Sequence, residues 1–118
     1  MKRFYYLSSC STCIRILKEL NLPSDFELID IKKTNIDIDS LEFLKNKSGS
    51  FESLFSKKAM KYKSLGLDKK NLTENDFKNL ILEEYTFLKR PVLITDELVF
   101  IGNSKDVVNK AKESLSKI

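Results

Sequence analysis

The chain has 118 residues, 42% of them hydrophobic and 32% charged, with a formal net charge of +4 from 21 basic and 17 acidic side chains. That size and balance exclude a disordered or low-complexity chain and predict one soluble globular domain over residues 1–118. The small basic surplus is almost all lysine, with arginine only at Arg3, Arg15 and Arg90. It reads as solubility and not as a platform for direct nucleic-acid binding. No apolar run approaches the ~20 residues a membrane span needs, and residues 1–7 lack the apolar core and cleavage site of a signal peptide, so the expectation is cytoplasmic.

Residues 2–7 are aromatic and apolar and end at Ser8-Ser9, which predicts a strand and a turn. From Thr12 onward, Cys13, Ile16, Leu17 and Leu20 recur at helical spacing until Asn21-Leu22-Pro23 stops the helix. Phe26, Leu28, Ile29 and Ile31 predict a second strand over 26–31. Asp39-Ser40-Leu41-Glu42 has the pattern of a capping box for a helix carrying Leu41 and Leu44, broken by Ser48-Gly49-Ser50. Phe51, Leu54, Phe55 and Ala59 predict a further helix over 51–62, closed by Leu65-Gly66-Leu67.

Thr73-Glu74-Asn75-Asp76 caps a helix whose inner stripe is Phe77, Leu80, Ile81 and Tyr85. After Arg90-Pro91, the runs 92–95 and 98–101 flank Asp96-Glu97, which predicts a hairpin without its favoured Asn-Gly turn. Gly102-Asn103-Ser104 caps a last helix with Val107, Val108, Ala111 and Leu115 inward. The order predicts an α/β sandwich of about four strands with flanking helices.

The two cysteines form Cys10-Ser11-Thr12-Cys13, at the junction of first strand and first helix. So short a loop gains little from a structural disulfide, and the pair reads as reactive in a reducing compartment. The free amides of Ser11, Thr12 and Cys13, with the helix dipole, favour a thiolate at Cys10 and a pKa below the free value of ~8.5. Cys13 stands one turn on, where it can resolve a mixed disulfide; it also shares the apolar face of Leu17 and Leu20, so a purely packing role stays open. With no histidine and no third cysteine, a closed zinc site within one chain is nearly excluded, leaving no metal expected. No imidazole can deprotonate Cys10, which favours redox or oxyanion chemistry over Cys-His acyl transfer.

Three blocks resemble the arsenate reductase (ArsC)/Spx family in order and spacing over nearly the whole chain: residues 5–13, Lys61-Tyr62-Lys63-Ser64-Leu65-Gly66-Leu67, and Leu88-Lys89-Arg90-Pro91-Val92-Leu93-Ile94. The closing Val99-Phe100-Ile101-Gly102-Asn103 is similar to the ending of its Spx and YffB-like branches. The resemblance implies a thioredoxin-like fold with a mixed four-stranded sheet, flanking helices, an inserted helical segment and a cis Pro91 facing the nucleophile.

It further implies that Cys10 attacks arsenate or a glutathione-linked disulfide, with Cys13 as resolving thiol. Arg90 would anchor the oxyanion or a glutathione carboxylate with its planar fork of donors, unless it is a surface arginine pairing with Glu83 or Glu84. Ser11, Thr12 and Pro91 would line the substrate, and Lys57 would be a second cation, or else a solvated lysine. Tyr6 stands where the family has its activating histidine, and the other oxyanion-binding arginines fall near Ser56 and Gly102. No bound cofactor is implied; glutathione and glutaredoxin, or a thioredoxin system, would be the reductant. The Spx branch implies instead a redox switch, without turnover, that binds the C-terminal domain of the RNA polymerase α subunit. The absence of a long apolar seam points to a monomer.

Overall fold

Apolar side chains on both faces of the first strand require a sheet covered on both sides. The structure, a computed structural model describing residues 1–117, has that sheet. Its elements run β1 (Lys2–Tyr6), α1 (Ser11–Leu20), β2 (Glu27–Asp30), α2 (Ile38–Ser48), α3 (Met60–Ser64), α4 (Glu74–Glu83), β3 (Val92–Thr95), β4 (Leu98–Ile101) and α5 (Lys105–Leu115). They separate into two compact units, residues 1–34 with those from 90 onward, and residues 35–89.

In the first unit the strand order is β2-β1-β3-β4. β1 pairs in parallel with β2 after the crossover through α1, and antiparallel with β3, which turns back into β4. The register sets Phe4 opposite Leu93, and Leu93 opposite Phe100. Because side chains alternate along a strand, these three line one face. Ile16 and Leu20 of α1, Val108 and Ala111 of α5, and Phe26 close the core over them. Tyr5 and Val92, opposite one another on the other face, are buried as well. The hairpin turn without glycine works because Asp96 takes the left-handed conformation (φ 62), which aspartate tolerates. Its amide donates to the Met1 carbonyl at 2.8 Å.

In the second unit three expectations change. The N-cap of α2 is Asp37, whose carboxylate accepts the Ser40 amide at 2.8 Å; Asp39 already lies in the first turn, where its charge complements the helix dipole. The helix expected over 51–62 does not form. A 3-10 turn (Glu52–Leu54) is followed by an extended Phe55 that bridges to Leu88, and helix returns only at Met60. The extended backbone lets Ser56 N–H reach the Phe87 carbonyl (2.7 Å) and sets the Phe55 ring 4.9 Å from both Phe77 and Phe87. Aromatic packing outweighs a weak helical preference there. Thr73 and Asp76 form the expected capping box, but α4 ends at Glu83, so Tyr85 opens a separate 3-10 turn outside the helical stripe.

Candidate active site

The segment joining β1 to α1 is held before the cysteines are reached. Cys10 N–H donates to the Leu7 carbonyl at 3.0 Å, closing a tight turn over Ser8 and Ser9. Ser8 Oγ donates to Asp30 Oδ2 at 2.6 Å, and Lys32 N–H donates to Asp30 Oδ1 at 3.2 Å. Asp30 is the residue opposite Tyr6 in the parallel register, so the end of β2 anchors the loop carrying Cys10. The Ser8 hydroxyl, more than the two amides it also receives, keeps the Asp30 carboxyl below its usual range despite some desolvation.

Cys10 is the N-cap of α1, half-buried, with extended backbone (φ −95, ψ 111). Its sulfur closes no capping hydrogen bond of full geometry, and the first-turn amides act on it as oriented dipoles. Desolvation raises the Cys10 thiol pKa. That push is outweighed by the Cys13 amide, the Cys13 thiol, the Thr12 amide and the Arg90 guanidinium, and the net pKa is lowered. Cys13 behaves in the opposite way. It is 1% exposed, and burial, with the adjacent Cys10 sulfur, pushes its thiol up to about 11 against the pull of the Leu7 amide and Arg90. The two chemically identical groups are thus driven in opposite directions, Cys10 toward the thiolate and Cys13 toward the thiol. The hydrogen bond from the Cys13 thiol to the Cys10 sulfur contributes to both shifts.

Arg90 is half-buried, with its Nε fully so, and its charge acts on both sulfurs. The Arg90–Pro91 bond is cis, and Pro91 is buried. The Pro91 carbonyl accepts Gly102 N–H at 2.9 Å, and Gly102 holds φ 97, a left-handed value that favours glycine. The structure therefore brings Cys10, Thr12, Cys13, Arg90 and Pro91 into the first unit, with Ser11 exposed in the first turn of α1. Lys57 belongs to the second unit, exposed and paired with Glu52 at 2.8 Å. Tyr6 stacks on Phe4 (6.0 Å between centroids) and packs against the core. Sequence reasoning did not find Asp30. Only the parallel register places that residue beside the cysteine loop.

The model of the ArsC family matches residues 5–111. A Streptococcus mutans protein described as a possible arsenate reductase is 30% identical, with a TM-score of 0.68, over 89% of this chain and 92% of its own. Arsenate reductase from Vibrio cholerae has a TM-score of 0.75 at 19% identity, over 99% and 96% of the two chains. A protein called YFFB reaches 0.77 at 22% identity, over 94% and 98%. No curated protein matches. The agreement extends through the sheet and the inserted helices of a thioredoxin-like fold, and the match over residues 5–111 establishes that this chain belongs to the ArsC family.

Proposed function

We propose that this protein is a thiol oxidoreductase of the arsenate reductase type with Cys10 as nucleophile. The observation that carries the reading is the split between the two thiols, Cys10 lowered and Cys13 raised to about 11, under the charge of Arg90. A thiolate in reach of a guanidinium suits attack on an anionic centre, because the cation both favours the nucleophile and draws in its target. Support for arsenate comes from the names of the structural neighbours.

In the first step Cys10 Sγ bonds to arsenic, and one arsenate oxygen leaves as water after taking up protons. In the second, a thiol attacks Cys10 Sγ, the sulfur–arsenic bond breaks, and its electron pair reduces arsenic(V) to arsenite while a disulfide forms. The second thiol is Cys13 or glutathione, with glutaredoxin or a thioredoxin system restoring the reduced enzyme. Arg90 holds the oxyanion through the first step, and the amides of Ser11 and Thr12 face the developing charge. The single domain over residues 1–118 works as a cytoplasmic monomer, with no metal or bound cofactor.

A second reading is favoured by the hydrogen-bond interaction between the two cysteine side chains, which brings both thiols to one helix start. In it the pair is a redox switch of the Spx type that alters binding to the C-terminal domain of the RNA polymerase α subunit without turnover. Arsenate turnover by the reduced protein with glutathione and glutaredoxin distinguishes them. The enzyme reading expects steady arsenite release, abolished in Cys10→Ser with the circular-dichroism spectrum unchanged. Turnover that survives Cys10→Ser removes the mechanism. No turnover, with a readily formed Cys10–Cys13 disulfide, moves the assignment to the switch.

A further inference from the structure

The basic surplus is not spread evenly along the chain. Of the 21 basic and 17 acidic side chains, six lysines and one acid, Asp68, fall within residues 57–70, a net of +5; the remainder, 15 against 16, nets −1. All six lysines are exposed. Lys57 pairs with Glu52 at 2.8 Å and Lys61 with Glu84 at 2.6 Å. Lys58, Lys63, Lys69 and Lys70 form no ion pair among the described residues, and Lys70 acts on Asp76 only from a distance.

The same segment carries the two most exposed large apolar side chains among the described residues, Met60 (89%) and Leu65 (56%). Their backbone is held from inside. Tyr62 sets its ring edge-on to Phe55 at 5.8 Å, and Leu67 is buried. Between these two anchors Gly66, left-handed at φ 70, turns α3 into a 3-10 turn (Leu67–Lys69). Met60 and Leu65 are therefore displayed outward among lysines, on a segment that its own core contacts fix.

We infer that residues 57–70 are a docking surface for the face of an anionic phospholipid bilayer. The lysine ammoniums meet headgroup phosphates while their stems lie along the interface, and Met60 and Leu65 enter the acyl boundary behind the phosphates. No described helix is long and apolar enough to cross a membrane, so the contact is peripheral. The composition favours a bilayer over a nucleic acid. A phosphodiester backbone attracts lysines but offers nothing to two exposed apolar side chains. The segment also has no arginine for bidentate readout, and its one aromatic ring, Tyr62, is engaged by Phe55 and not free to stack on a base. The docking surface is independent of the thiol chemistry and stands or falls apart from it.

The test is co-sedimentation of the full-length protein with phosphatidylcholine vesicles, with and without phosphatidylglycerol. Binding should require phosphatidylglycerol and weaken as salt is raised. A lysine near an anionic surface is worth about fivefold in partitioning, so Lys58→Gln/Lys63→Gln/Lys69→Gln/Lys70→Gln should lower the partition coefficient about 100-fold. Met60→Ser/Leu65→Ser should lower it about tenfold, with the circular-dichroism spectrum unchanged in both variants. Lys105→Gln/Lys110→Gln/Lys112→Gln/Lys117→Gln, the same change in net charge on and beside α5, should leave it within about twofold. No binding to the phosphatidylglycerol vesicles overturns the proposal, and so does an equal loss in the α5 variant, which would mean that net charge alone is at work. Undiminished binding by Met60→Ser/Leu65→Ser overturns it too, and duplex DNA held equally well by that variant would then assign the lysines to nucleic acid.

Discussion

Residues 1–34 and those from 90 onward are built on a hydrogen-bonded sheet with ten- and eleven-residue helices, whereas residues 35–89 alternate α-helix with 3-10 turns around an aromatic cluster. In the first, the backbone ladder specifies where each side chain goes: one register puts Asp30 beside Ser8, and the turn that follows puts Cys10 at the first turn of α1. In the second, side-chain packing dictates the backbone, as when Phe55 leaves helical geometry to reach Phe77 and Phe87. The difference teaches that this fold sets its cysteine pair on the part of the molecule whose backbone is specified by a ladder. Catalytic geometry tolerates little displacement, and a ladder supplies that precision more dependably than ring packing.

The largest expected effect strikes the packing-built unit. Phe55 is 1% exposed, with Tyr62, Phe77 and Phe87 around its ring, so Phe55→Ala should cost about 3–5 kcal/mol in urea unfolding. A loss below about 1 kcal/mol would mean that the cluster does not organise the segment.

A smaller effect concerns the sheet unit and depends on pH. The buried Cys13 thiol is raised to about 11, above the ~8.5 expected of an unfolded chain. Its contribution to stability is therefore fully present below about 8.5 and is lost as pH rises toward 11. The measurement is best made in a Cys10→Ser background, which removes the partner thiolate and leaves burial as the cause. That variant should lose stability from pH 7 to pH 9.5 relative to Cys10→Ser/Cys13→Ala. Parallel stability curves would refute the buried, neutral Cys13.

The smallest effect sharpens the contrast through helix caps. Thr73 takes part in a reciprocal capping box, whereas Ser104 makes a single capping bond to the Val107 amide at 3.2 Å. Thr73→Ala should cost about 1 kcal/mol and Ser104→Ala a few tenths less, read as shifts in the urea midpoint. The reverse order would show that α5 depends on its cap more than on its core contacts through Val108 and Ala111.

Much was legible in the sequence where periodicity and local chemistry agree. Cys13, Ile16 and Leu20 marked α1 and its buried face, Thr73 and Ser104 their caps, and Val92–Thr95 and Leu98–Ile101 the hairpin, because each depends on neighbours within a turn or two. The Cys10-Ser11-Thr12-Cys13 spacing likewise sufficed to place Cys10 at a strand-to-helix junction with a lowered thiol pKa, since a helix start lowers it by local dipoles.

What escaped is long-range. The segment around Phe55 has a helical pattern but is governed by rings some twenty and thirty residues away, which local propensity cannot see. Asp30 is an ordinary acid until the parallel register sets it beside Ser8. The lowered thiol at Cys10 was thus legible in the sequence alone, through interactions spanning three residues. What holds it and what lies beside it was decided only by the tertiary structure, because those contacts join segments whose proximity arises from chain folding.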